Sequence, residues 1–252
     1  MIHGLILAGG KATRLGGMIK GLIPVENDSG MYYPGKPRPK TILDLQIESL
    51  YNGGVDCIWL LARHGIWEYR NWLLKNGSSL PCSVEIIEEK LPLGTGGAIS
   101  NAMQYIKSNP LYKWDTLFFA LNGDIVHQDK DIIVKMLDRG SRQGWSKRNL
   151  LAVCHLPSKW AKDYGRIEFD KTLRVESFYE KSNYTNDFYC NAGIYLLNSK
   201  LFPMTYQKNW SIEKDYFEKR PKLNKAIIMC ENHNWLDVGT PERLEILKGW
   251  NK

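Results

Sequence analysis

Ile2-His3-Gly4-Leu5-Ile6-Leu7-Ala8-Gly9-Gly10-Lys11-Ala12-Thr13-Arg14-Leu15 is an apolar strand that runs without a break into a pair of glycines. Adjacent glycines reach backbone angles closed to other residues and carry no Cβ, so a ligand can lie directly against the main chain. A phosphate chain fits such a loop, with Leu7 and Ala8 leading into it and Gly9 and Gly10 making room. Thr13 adds a hydroxyl donor and Arg14 a planar fork suited to phosphate oxygens. A glycine pair after a strand is also an ordinary tight turn, so the rest of the chain has to decide.

Working outward, the first half alternates strand-like and helix-like segments, which points to a sheet with crossover helices. Strands are expected at residues 2–7, 56–62, 84–87 and 117–121, and helices at 41–52, through Tyr69 and Leu73, and at 98–106. The second half is less regular. It offers strands at 150–154, 165–169, 174–178 and 189–197, with helices at 212–219 and 241–250. No internal repeat or convincing linker divides the chain, and one domain over residues 1–252 is the economical reading. Residues 26–40, rich in Asn, Asp, Ser, Gly and Pro, are long enough for a functional flap or a surface insertion.

Composition narrows the class. The 252 residues carry 43% apolar and 24% charged residues, which describes an ordinary soluble globular protein. The formal charge of +7 favours acidic partners such as phosphates. The basic residues are spread along the chain with no nucleic-acid-binding motif beside them, so nucleic acid is not the expected partner. Five cysteines without a Cys-x-x-Cys pair indicate neither a zinc knuckle nor a disulfide framework, and reduced, mostly buried thiols are expected. No signal-like segment and no membrane-length apolar run is visible, so the cytoplasm is the expected location and the membrane is not. Nine tryptophans and thirteen tyrosines are compatible with a buried contact in a homo-oligomer.

Two carboxylates stand where chemistry would need them. Asp124 follows Asn122-Gly123 at the end of a fully apolar strand, the place where open α/β sheets bind ligands. Asp237 lies in an apolar strand just before a Gly-Thr-Pro helix start, where a charge is costly unless paired or metal-bound. The two could share one Mg²⁺, which binds few protein oxygens and leaves the remaining positions to phosphates and water. Gly94, Thr95, Gly96 and Gly97 open a helix whose positive end can face a ligand. Glu89, just before them, could accept the adjacent N–H donors of a guanine edge. Lys20, beside a glycine, can swing toward the same phosphates. Glu180, Lys181 and Asn191 together could grip a sugar's hydroxyls and its phosphate.

Taken in order, LAGGKATRL, KGLIPV, PLGTGGA, LNGDI, YGRI, YEK, NAGIYLLN and WLDVGTPERL span residues 7–244. The series resembles the sugar-1-phosphate nucleotidyltransferase family, above all its mannose-1-phosphate and heptose-1-phosphate guanylyltransferase branch. The resemblance implies an α/β fold of three layers, α/β/α and Rossmann-like, with a mixed central sheet. Its nucleotide-binding half would be about residues 1–125 and its sugar-phosphate half about 126–252. It also implies a reaction in which a sugar 1-phosphate attacks the α-phosphorus of a nucleoside triphosphate, GTP by branch, and displaces pyrophosphate; uridylyl, thymidylyl or cytidylyl transfer, or a catalytically silent nucleotide-sugar-binding subunit on the same fold, are the alternatives. Gly9, Gly10, Gly123 and Arg14 would then hold the nucleotide, with Lys20 on the departing pyrophosphate and Gly94 and Thr95 near the base and ribose. Asp124 and Asp237 would carry Mg²⁺. Glu180, Lys181, Asn191 and the Gly165 backbone would bind the sugar phosphate, with Trp235 at the cleft border. Ala12 departs from the pattern, which usually has glycine there, and KGLIPV replaces a more usual Lys-Pro-Met.

Overall fold

The computed structural model describes residues 1–25, 39–111, 117–129, 131–142, 148–179, 185–205, 208–229 and 235–249. The first half runs β1 (His3–Leu7), α1 (Ile42–Asn52), β2 (Cys57–Ala62), α2 (Ile66–Asn76), β3 (Ser83–Glu88), α3 (Gly94–Ser108) and β4 (Leu117–Asn122). The second half adds β5 (Ile125–His127), α4 (Ile132–Arg142), β6 (Asn149–Leu156), β7 (Arg166–Phe169), β8 (Val175–Tyr179) and β9 (Phe188–Asn198). A π-helical turn over Ile212–Phe217, β10 (Asn224–Ile228), β11 (Trp235–Asp237) and α5 (Pro241–Gly249) complete it.

One mixed sheet in the order β10-β6-β9-β4-β1-β2-β3 forms the middle layer. β1, β2, β3 and β4 are mutually parallel, while β9 runs antiparallel between β4 and β6. Period-two alternation on fully buried strands sends neighbouring side chains to opposite faces. Ile6, Leu60 and Phe119 therefore pack with Ile47 of α1, Tyr69 of α2 and Ile133 of α4. Leu5, Trp59 and Phe118 pack on the other side with Ile99 and Met103 of α3 and with Tyr216 and Phe217. The result is a three-layer α/β/α arrangement, with the crossover helices that the alternation of elements predicts and the layering that the resemblance implies. No helix among the described residues is long and apolar enough to cross a membrane.

A smaller apolar cluster positions the site. Leu15, Ile23 and Val25 pack with Ile42 of α1, Val126 of β5, Val238 and Leu247 of α5. This ties the segment after the glycine pair to the chain's C-terminal helix. α1 starts on a capping box, with the Asp44 N–H donating to Thr41 Oγ1 at 3.3 Å and the Thr41 N–H to Asp44 Oδ2 at 2.8 Å. Most of the 26–40 insertion lies outside the described residues, but its ends meet: the Val25 N–H donates to the Lys40 carbonyl at 2.8 Å.

Candidate active site

The parallel strands end side by side, and those ends form the floor of a cavity of about 390 Å³. Leu7 is in register with Asn122, the Ala8 N–H bonds the Leu61 carbonyl at 2.8 Å, and the Gly123 N–H bonds the Leu7 carbonyl at 3.0 Å. The fit at Gly123 is close enough that a Cβ there would stand 2.3 Å from the Leu7 carbonyl oxygen. Leu7, Ala8, Gly9 and Gly10 of the opening loop line this cavity together with Lys20, Glu89, Gly94, Thr95, Gly123 and Asp124. Residues far apart in sequence are thus gathered at the carboxyl ends of the strands, where open α/β sheets bind ligands.

Lys20 and Asp124 meet directly, with Nζ 2.7 Å from Oδ2 and about a quarter of each side chain exposed. The lysine sits on a short 3₁₀ turn, Lys20–Leu22, where the Gly21 N–H bonds the Tyr69 hydroxyl. Burial pushes that phenol up to about 12, so it stays neutral. From α1 the buried Gln46 side chain donates to the Asn122 carbonyl at 2.9 Å and the Ile125 carbonyl at 3.0 Å. It clamps the turn that carries Asp124.

Glu89 is buried against the glycine pair: a Cβ on Gly9 would lie 2.9 Å from its Oε1. Burial raises its pKa, opposed by a hydrogen bond from the Leu93 backbone and by the charge of Arg63.

The start of α3 differs from the expected open helix end. The Gly96 and Gly97 N–H groups both point to the Trp210 carbonyl, at 3.0 and 3.3 Å. Thr95 Oγ1 donates to Glu213 Oε2 at 2.8 Å and accepts from the Ile212 N–H at 2.9 Å. A Cβ on Gly96 would stand 2.2 Å from the Trp210 ring, and one on Gly97 2.1 Å from the Lys208 carbonyl oxygen. These two glycines admit a neighbouring segment, and the helix-end amides serve packing instead of facing a ligand.

A second group forms beside the first. β11 pairs with β5 so that Asp237 stands opposite Ile125, and the Val238 N–H bonds the Asp124 carbonyl at 2.8 Å. Asp237 on β11 thus adjoins the turn just before β5 that carries Asp124. Asp237 is paired as its apolar setting demands: Oδ2 accepts from Arg243 Nη1 at 3.2 Å. Arg243, 4% exposed, also bonds Asp163 at 2.8 Å and lies over the Trp160 and Tyr164 rings. Next to it, the Asn191 N–H reaches the Gly165 carbonyl at 3.4 Å, and Asn191 Nδ2 donates to the Tyr195 hydroxyl at 2.7 Å. Trp235 is buried; its indole N–H bonds the Ala192 carbonyl at 2.8 Å, and its ring meets Tyr164 edge-on. Gly165, Asn191 and Trp235 are thus brought together.

Thr13 and Arg14 are exposed on the 3₁₀ turn Thr13–Leu15 and do not line the cavity. Glu180 and Lys181 lie outside the described residues. Sequence reasoning missed Lys11, Arg63, His64 and Tyr69, all of which line the cavity, and Gln46 and Arg243, which hold its carboxylate turn and Asp237. Arg63, directly after the C-terminal end of β2, is the one with a readable signal. Among the described residues no group of three or more His, Cys, Asp or Glu converges as a ready-made metal cage.

A mixed sheet between two helical layers, with a glycine loop and a carboxylate turn meeting at its strand ends, is the architecture of nucleotidyltransferases. HddC of Yersinia pseudotuberculosis superposes with a TM-score of 0.73 over 100% of both chains at 26% identity, and its crystal structure complexed with GMP-PN gives 0.72. A putative glucose-1-phosphate thymidylyltransferase from Bacillus anthracis shares the fold, with a TM-score of 0.75 over 99% of this chain and 94% of that one at 16% identity. The Nucleotidyl transferase family model matches residues 3–247, and the chain belongs to that family. Mannose-1-phosphate guanylyltransferase 1 of Arabidopsis thaliana is 28% identical over 242 residues, which cover 94% of this chain. The chain spans only 61% of that relative's length. D-glycero-alpha-D-manno-heptose 1-phosphate guanylyltransferase of Campylobacter jejuni is 27% identical and covered over 96% of both chains.

Proposed function

We propose that the protein is a sugar-1-phosphate guanylyltransferase that joins GTP and a sugar 1-phosphate to give a GDP-sugar and pyrophosphate. The observation that carries this reading is the Lys20–Asp124 contact on the cavity floor, beside the glycine pair. The sugar-phosphate oxygen forms the new bond to the α-phosphorus, the bond from that phosphorus to the bridging β-phosphate oxygen breaks, and its electron pair leaves with pyrophosphate. Such a transfer needs alignment and charge neutralisation and no protein nucleophile.

Gly9, Gly10 and Gly123 let the triphosphate approach the backbone, and Lys11, Lys20 and Arg63 in the cavity wall supply positive charge toward it. Glu89 accepts the two adjacent N–H donors of guanine, which a uracil, thymine or cytosine edge does not present in that pattern. Gly165, Asn191, Glu180 and Lys181 take the sugar phosphate, and Trp235 supports that side from beneath Ala192. The division into a nucleotide half and a sugar-phosphate half follows from this assignment.

The donor chemistry suits Mg²⁺. Asp124 already directs a carboxylate oxygen at a cation, the Lys20 ammonium, and Asp237 adjoins it across the β5–β11 pair. Asp124 and Asp237 would hold the ion, which when bound offsets charge on the triphosphate and the departing pyrophosphate. Arg243, with Nη1 3.2 Å from Asp237 Oδ2, holds that carboxylate in place.

A pyrophosphate-release screen of four nucleoside triphosphates against several sugar 1-phosphates tests the reading. Release with GTP and a manno-configured sugar 1-phosphate is expected, with Asp237→Asn sharply slower while still folded. No release with any pair overturns it.

A further inference from the structure

Two cysteines outside the assigned machinery face each other. In the antiparallel pairing of β6 and β9, Cys154 stands directly opposite Cys190. Residues so opposed have Cα atoms about 4.5–5.5 Å apart, inside the range of roughly 4.4–6.8 Å that a disulfide spans. Both are free thiols, and the Cys154 thiol donates to the His155 carbonyl at 3.8 Å. Cys154 is partly exposed and Cys190 is fully buried, so one can meet a reagent from solution while the other waits behind it.

Their electrostatics match those roles. The neighbouring Cys190 holds the Cys154 thiol below its ordinary value, whereas burial pushes Cys190 well above. Cys57 and Cys82 contrast with Cys154: burial pushes both up to about 11, which disfavours them in the opening attack on a reagent from solution.

The pair also borders the sugar-phosphate group. Cys190 precedes Asn191 and pairs with Arg166, the residue after Gly165. The Asn191 N–H to Gly165 carbonyl bond is already long at 3.4 Å, and β6 carries a register irregularity between Leu151 and Val153, where Val153 faces Asn191. A pull on Cys190 toward β6 is therefore a pull on Asn191.

We propose that Cys154 and Cys190 form a thiol–disulfide site that takes a low-molecular-weight disulfide as oxidant, and whose oxidation shifts the paired Gly165 and Asn191 backbones. The effect on substrate rests on the sugar-phosphate reading above. The Cys154 thiolate attacks one sulfur of the oxidant, forming a mixed disulfide and releasing one thiolate, which takes up the proton that Cys154 lost. The Cys190 sulfur then attacks Cys154 Sγ, expels the second small thiol with the Cys190 proton, and closes the protein disulfide. Two protein thiols are oxidised, and one small disulfide is reduced to two thiols.

The test treats the intact protein with oxidised glutathione. Linked peptides are mapped by mass spectrometry, which also places Cys230, a residue outside the described set. Backbone hydrogen exchange at Asn191 and Arg166 and the two substrate KM values are then compared with the reduced protein. A Cys154–Cys190 link should form, speed exchange at Asn191, and raise the sugar 1-phosphate KM by roughly five- to tenfold, the effect of one misplaced neutral hydrogen bond. The GTP KM should stay within about twofold, and dithiothreitol should reverse every change. Cys154→Ser, and separately Cys154→Ala, should keep the reduced kinetics and lose the response. A glutathione adduct on Cys154 that never resolves, a link between other cysteines, or a link without faster exchange at Asn191 would overturn the proposal. Absence of transfer by the reduced protein would count against the proposed function alone, because linkage and exchange are read without turnover.

Discussion

Replacing Gly123 with alanine probes the seam between the glycine loop and the carboxylate turn. The new Cβ would stand 2.3 Å from the Leu7 carbonyl oxygen, 3.0 Å from its carbonyl carbon and 3.2 Å from Ala8 Cα. All three are backbone atoms, so no rotamer change relieves the contact. Ordinary contact begins near 3.4 Å, so the ends of β1 and β4 must part by about 1 Å. That stretches the 3.0 Å Gly123 N–H to Leu7 carbonyl bond out of range. Losing the bond costs about 1 kcal/mol and the overpacking about 1–3, for a total of roughly 2–4 kcal/mol. For a chain of this size the melting temperature should fall by roughly 5–15 °C. Asp124 moves with the turn, and a misplacement of about 1 Å should cost about a hundredfold in turnover. Differential scanning fluorimetry and pyrophosphate release measure the two effects. Gly10→Ala is the matched comparison, since nothing lies within 4 Å of its Cβ position. It should leave the melting temperature nearly unchanged while raising the nucleoside triphosphate KM. A Gly123→Ala protein with unaltered melting and turnover, or a Gly10→Ala protein equally destabilised, would refute the reasoning.

Three further outcomes follow from individual residues. Ala12 adopts a left-handed conformation, φ 47° and ψ 41°, so Ala12→Gly should relieve about 1–2 kcal/mol of strain against about 0.5–1 of added chain entropy, a net gain of about 0.5. A loss above about 1 kcal/mol in chemical denaturation would contradict that sign. Glu89 has a raised folded pKa, so the folded chain binds more protons than the unfolded one just above the ordinary value of 4.5, and stability falls as pH rises through that window. Glu89→Gln should therefore stabilise the protein at neutral pH while raising the GTP KM by roughly ten- to a hundredfold; destabilisation with an unchanged GTP KM would remove Glu89 from base recognition. Burial lowers the pKa of His127, whose Nε2 meets Ser49 Oγ and whose Nδ1 meets the Asp129 carbonyl. The unfolded chain then binds the extra proton first, so stability should drop as pH falls below 6.5, by up to about 1.4 kcal/mol per unit, a loss that His127→Gln should abolish.

The layers were legible wherever burial leaves a periodic trace. β1, β2 and β4 are apolar runs bounded by turn residues, and α1 shows in the spacing of Ile42, Leu45, Ile47 and Leu50. β10 and α4 escaped notice. The first is five residues long and opens on Asn224-Lys225, and the second places Ile132, Ile133 and Met136 against the sheet within a mixed segment. At the site, Gly9, Gly123 and Asp124 could be read locally because strand ends are where such residues matter. Gly96 and Gly97 were misread, because their small size answers to Lys208 and Trp210, more than a hundred residues away. Gln46 was invisible for the same reason, since Asn122 and Ile125 come near it only in the fold, and Arg243 joins its sequence neighbour Asp237 to the distant Asp163.

The central claim is attack at the α-phosphorus of a nucleotide held over the Lys20–Asp124 floor. Incubation with GTP labelled at the α-phosphorus, Mg²⁺ and a manno-configured sugar 1-phosphate tests it most directly, with chromatographic separation of the products. The label should pass wholly into the GDP-sugar and leave the pyrophosphate unlabelled, and Asp124→Asn should nearly abolish the transfer. Label recovered as free GDP or GMP, with none in a sugar nucleotide, would contradict the account.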